Sequence, residues 1–180
     1  MRNFFVAAAA CASISFHVSA QAISLHAGET VTVRFDSGRT VVERAGPAEP
    51  MTKYQAYVLW RAEAQDIPPG AKTMPPSFVI RGEGPPKPSP PTADQLKLTL
   101  RRVPGLEPGS ADRTALFLAN GYGSKVRYHA VMNADSRSAS TDVCDVPARL
   151  LGMEYWPYII DRIDLSELHL EPADGALRCG

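Results

Sequence analysis

The sequence predicts a mainly β chain, folded as an antiparallel two-layer β-sandwich that is loosely immunoglobulin-like, with one short helix and a Pro-rich connector after a cleaved signal peptide. Three observations carry this prediction. Apolar and polar residues alternate along several short runs, Gly and Pro punctuate the intervals, and two cysteines remain late in the chain once an apolar leader is set aside. A partly open barrel is the second architecture that fits.

The leader comes first. Arg2 precedes an uncharged apolar run from Phe4 to Phe16, and Val18, Ala20 and Ala22 follow it. A positive end, a short greasy middle and a small-residue exit make a secretory signal. The run is about 13 residues long, whereas a helix crossing a bilayer core takes about 20, so it inserts without anchoring. Cleavage fits after Ala20 or Ala22, and Ala22 is preferred because small residues fill both recognition positions. The expected organisation is therefore a signal peptide over residues 1–22 and a single exported domain over residues 23–180, long enough for one core. Cys11 leaves with the leader. Cys144 and Cys179 remain, and in an oxidising compartment such a pair forms a disulfide. The bridge would close a loop of about 36 residues, worth roughly 4 kcal/mol in chain-entropy terms.

Glu29 to Phe35 alternates, with Val31, Val33 and Phe35 on one face, and reads as a half-buried strand. Asp36, Ser37 and Gly38 turn it into a β-branched run from Arg39 to Arg44, which predicts an antiparallel hairpin. Thr52 and Gln55 have the spacing of a capping box. Tyr54, Tyr57, Val58 and Arg61 then recur at helical intervals until Asp66, Pro68, Pro69 and Gly70 stop the run. Ser77 to Arg81 reads as a short strand. Residues 84–92 hold Pro85, Pro86, Pro88, Pro90 and Pro91, a stiff connector of polyproline II geometry.

The second half is more strongly patterned. Gln95 to Arg102 places Leu96, Leu98 and Leu100 on one face and Lys97, Thr99 and Arg101 on the other. Arg113 to Asn120 is an apolar strand, and the turn at Gly121 to Ser124 predicts a hairpin with Lys125 to Asn133. In that strand Val126, Tyr128, Ala130 and Met132 should face inward, with Lys125, Arg127 and His129 outward. From Ile159 the chain is extended, but Ile163 and Leu165 lie in one phase and Leu168 and Leu170 in the other. That change predicts a bulge at Ser166 and Glu167. About seven or eight strands result.

The chain holds 19 basic and 19 acidic residues, so it has no electrostatic claim on nucleic acid. Nucleophile-elbow, zinc-protease, Walker and C-x-x-C signatures are missing, and no metal or cofactor is expected. Gly121, Gly123, Ser124 and Lys125 resemble a phosphate cradle but lack the helix that would bind the anion. His129 beside Arg127 is the best candidate for a working histidine. His129 and His169 would meet a carboxylate such as Asp164 only on neighbouring strands. Asp161, Asp164 and Glu167 near Arg162 read as a solvated face with rim ion pairs. Tyr155, Trp156 and Tyr158 around Pro157 form an aromatic cluster that could stack on sugars or fill a partner's pocket, though burial is expected for Trp156.

The function that follows is a non-enzymatic binding or scaffold protein of a bacterial cell envelope, periplasmic or secreted, with a protein or glycan partner. Three alternatives stand beside it: a carbohydrate or peptidoglycan-binding module, a small inhibitor of an exported hydrolase, and a hydrolase using His129 or His169.

Overall fold

A computed structural model describes residues 22–63, 86–105 and 111–180. The predicted leader up to residue 21, the predicted helix stop, the predicted Ser77 to Arg81 strand and the first part of the predicted connector lie outside these residues. Nine strands and one helix are described: β1 (Ile23–His26), β2 (Glu29–Asp36), β3 (Arg39–Pro47), α1 (Lys53–Glu63), β4 (Leu96–Val103), β5 (Arg113–Asn120), β6 (Lys125–Ala134), β7 (Arg137–Thr141), β8 (Leu151–Trp156) and β9 (Arg162–Glu171). They form two antiparallel sheets, one of four strands in the order β1-β9-β6-β7 and one of five in the order β3-β2-β4-β5-β8. The architecture is the predicted sandwich. Its strand order is not that of an immunoglobulin domain, so that likeness ends at the two layers.

Alternation builds the main core. Leu96, Leu98 and Leu100 of β4 are fully buried and meet Leu25, Val33, Ile163 and Leu165 between the sheets. The β2–β3 hairpin closes at Asp36 opposite Arg39. Ser37 and Gly38 both take positive φ, 48° and 77°, the geometry of a turn whose twist matches its strands. The capping box also forms: Gln55 N–H donates to Thr52 Oγ1 at 3.1 Å and Thr52 N–H to Gln55 Oε1 at 2.9 Å. The phase change in β9 is a bulge, with Glu167 at φ 53° and a register shift opposite Arg127 and His129. Cys144 and Cys179 are joined, S–S 2.02 Å.

Four expectations need correction. β5 and β6 do not pair as a hairpin: β5 lies between β4 and β8, and β6 between β9 and β7 in the opposite sheet. The buried Asn120 side chain redirects the chain, its Nδ2 donating to the carbonyls of Ser124, Val146 and Pro147 while its Oδ1 accepts Tyr122 N–H. Lys125 does not face solvent. Its side chain is 3% exposed, with Asp145 and Glu171 each 3.2 Å from Nζ. On α1 the most buried residue is Leu59, outside the Tyr54, Tyr57, Val58, Arg61 stripe, while Tyr57 stacks at a tilt on Trp60. Finally β1, β7 and β8 are strands beyond those the sequence predicts, because each is short or polar and takes its conformation from a neighbour.

Candidate functional site: a cleft between helix and sheet

The five-stranded sheet carries a second, smaller core on its outer face. Leu59 of α1 packs with Val103, Ala115 and Phe117, and Val58, Met153 and Tyr155 close around them. The sheet is thus covered on both sides near β5, which explains why β5 is apolar without alternation. Toward the amino end of α1 this layer opens into a cleft of about 260 Å³. Small-molecule sites usually enclose about 300–1,000 Å³, so this is a site for a small occupant.

Register sets the floor. Thr30, Thr99, Phe117 and Met153 stand in one row across β2, β4, β5 and β8, flanked by the rows Lys97, Ala119, Leu151 and Arg101, Ala115, Tyr155. The alanines beside Phe117 leave space above the sheet. Tyr54, Gln55 and Val58 of α1 form one wall, and Pro90 and Pro91 of the connector form another. The connector is held there by Gly121, whose N–H donates to Gln95 O at 2.8 Å and whose carbonyl accepts Asp94 N–H at 3.1 Å. A Cβ on Gly121 would sit 1.7 Å from Thr92 O, so only glycine permits this approach.

Two cations and one anion line the cleft. Lys97 and Glu49 pair at 2.6 Å at the rim, and the hydrogen bond and charge of Lys97 hold the Glu49 carboxyl below its usual range. Arg101 is half-buried, and its Nε has no hydrogen-bond partner among the described residues. Burial lowers its guanidinium from the ordinary arginine value, with Glu49 acting in the opposite sense. An arginine remains charged under such a shift. A charged group with a buried donor left unsatisfied is an unfilled binding capacity.

No family model, curated protein or solved structure matches this chain.

The residues singled out from sequence do not converge on one surface. Tyr155 lies nearest the cleft, half-buried on the same face, with Arg113 donating to its hydroxyl. Trp156 turns inward and donates from Nε1 to Thr141 Oγ1 at 3.1 Å. Tyr158 is exposed, and its hydroxyl reaches Met132 Sδ at 3.5 Å. Arg127, His129 and His169 lie on the opposite side of the molecule, on the outer face of the four-stranded sheet. There β6 and β9 are indeed neighbours, with Arg127 opposite His169. The carboxylates that meet the histidines are Glu167, 3.4 Å from His129, and Glu171, 3.2 Å from His169. Asp164 is instead bound by Ser24, Asn133 and Arg162. These are solvated pairs. Among the described residues no group of acidic, histidine or cysteine side chains is arranged to hold a metal ion.

Beside them lies an ion cluster that clamps the chain end. Lys125 Nζ donates to Ala176 O at 2.7 Å, and Arg178 pairs with Glu171 at 2.5 Å. Burial opposes ionisation of Glu171, but the hydrogen bonds from Lys125, His169 and Arg178 outweigh it and hold its carboxyl at about 2. Arg101, Phe117 and Met153 were missed as site residues. Their available signal was the unbroken apolar run Ala115 to Ala119, which implies cover on both faces.

Proposed function

We propose that the chain is an exported, non-enzymatic binding domain of the cell envelope whose working surface is the cleft between α1, the proline connector and the five-stranded sheet. The observation that carries this reading is the cleft itself: an apolar cavity with a guanidinium on its floor whose buried Nε has no hydrogen-bond partner among the described residues. The Cys144–Cys179 bridge supports export, since such bonds persist in oxidising compartments. Tyr155, Trp156 and Tyr158 point in three directions, which favours the cleft over a flat aromatic platform for glycans. His129 and His169 pair with Glu167 and Glu171 and do not line the cleft, which favours binding over hydrolysis.

Methyl NMR of Met153 and Val58 tests the cleft against a library of small apolar and amphipathic compounds. Saturable shifts at both residues are expected, and Val58→Trp or Ala119→Leu should each remove them by filling the space. Signals that stay still throughout the library would overturn the proposal. Export is tested separately: the envelope fraction should contain a chain beginning at Ile23, and a chain beginning at Met1 confined to the cytosol would contradict it.

A further inference from the structure

Several of the cations in the described structure meet an anion. Arg34 pairs with Glu43, Arg102 with Asp161, Arg162 with Asp164 and Arg178 with Glu171. Even the buried Lys125 is met by two carboxylates. Arg101 differs. It is half-buried on the floor of an apolar cleft, with no carboxylate in ion-pair contact among the described residues and a buried Nε that donates to nothing. A guanidinium offers donors in a planar fork that matches a carboxylate in two parallel hydrogen bonds.

The surroundings narrow the occupant further. Glu49 is neutralised by Lys97 at 2.6 Å, so the charged lining is net positive by one. A ligand with a second anionic group would bring it toward Glu49. Phe117, Met153, Val58 and Pro90 supply apolar surface for a body but no further cation. The small volume excludes a bulky occupant.

We infer that the cleft takes a small organic acid with one carboxylate and an apolar body, the carboxylate held by Arg101 and the body lying over Phe117 against Met153 and Val58. This rests on the reading of the cleft as the binding site and adds the chemistry of the ligand. Octanoate, 1-octanol and octylammonium share one apolar chain and differ in head group, so their affinities for the purified chain separate the two claims. Octanoate should bind about ten- to a hundredfold more tightly than 1-octanol, the range of a charge-assisted hydrogen-bonded pair, with octylammonium weakest. Arg101→Gln should erase that preference, so that octanoate binds no more tightly than 1-octanol. Arg101→Lys should keep part of it, and thermal melts establish that both variants are folded. Equal binding of octanoate and 1-octanol, or a preference that survives Arg101→Gln, would overturn the inference and leave the cleft reading intact. If none of the three probes moves the Met153 or Val58 methyl signals, both fail.

Discussion

Single residues decide where charge enters this fold. Lys125 looks like any outward strand residue in the sequence, yet it is buried because the chain end folds over it and brings Asp145, Glu171 and the Ala176 carbonyl to its ammonium. No local pattern records that cover. Glu154 is the second such residue. It faces the interior from β8, accepts Cys144 N–H at 2.9 Å and lies near the buried Tyr128 hydroxyl. Burial raises its carboxyl above the ordinary value, and the Cys144 N–H bond and the neighbouring Tyr128 hydroxyl partly offset it. Burial together with the Glu154 charge pushes Tyr128 well above a normal phenol, so it stays neutral. The folded state therefore holds the Glu154 proton more tightly than the unfolded chain does. The stability this group contributes is complete below about pH 4.5 and is lost as pH rises through the raised value. Glu154→Gln keeps the acceptor for Cys144 and has no proton to lose. In urea titrations it should be more stable than the parent at pH 7, with the difference closing near pH 4; a difference of equal size at both would refute the assignment.

Elements were legible where their signals are local. The β2–β3 hairpin, the capped start of α1 and the β9 bulge follow from turn residues, a four-residue box and a phase change, all visible within a few positions. The β5–β6 connection failed for a reason of the same kind. A Gly-rich turn states that the chain reverses, but whether it returns to the same sheet depends on Asn120 finding three carbonyls, two of them on the distant Val146 and Pro147. The proline connector is likewise placed by Gly121. Gly121→Ala forces its Cβ into the Thr92 carbonyl, and overpacking of this sort costs about 1–3 kcal/mol. The variant should exchange the Asp94 and Gly121 amide protons faster and weaken octanoate binding as the wall shifts. Unchanged exchange at both amides would show that the connector is held by something else.

At the scale of the whole molecule, a sandwich closed by one disulfide explains why the polar chain end is ordered. Arg178 O accepts Asp145 N–H at 2.8 Å and Gly180 N–H donates to Val143 O at 3.1 Å, so residues on both sides of the bridge form a short ladder. Replacing both cysteines, Cys144→Ser with Cys179→Ser, should cost about 2–5 kcal/mol in urea unfolding and expose Lys125, and an unmoved midpoint would exclude this role for the bridge. Sequence alone determined the mainly β class, the alternating faces of β2, β4 and β6, the helix start and the cysteine pair. Those features depend on periodicity and composition, which are properties of neighbours along the chain. Tertiary structure alone decided the sheet order, the burial of Lys125, and the meeting of Arg101 with Phe117, Met153 and the proline connector. Those depend on which strands lie side by side, and alternation reports only which face is apolar, never what will stand opposite it.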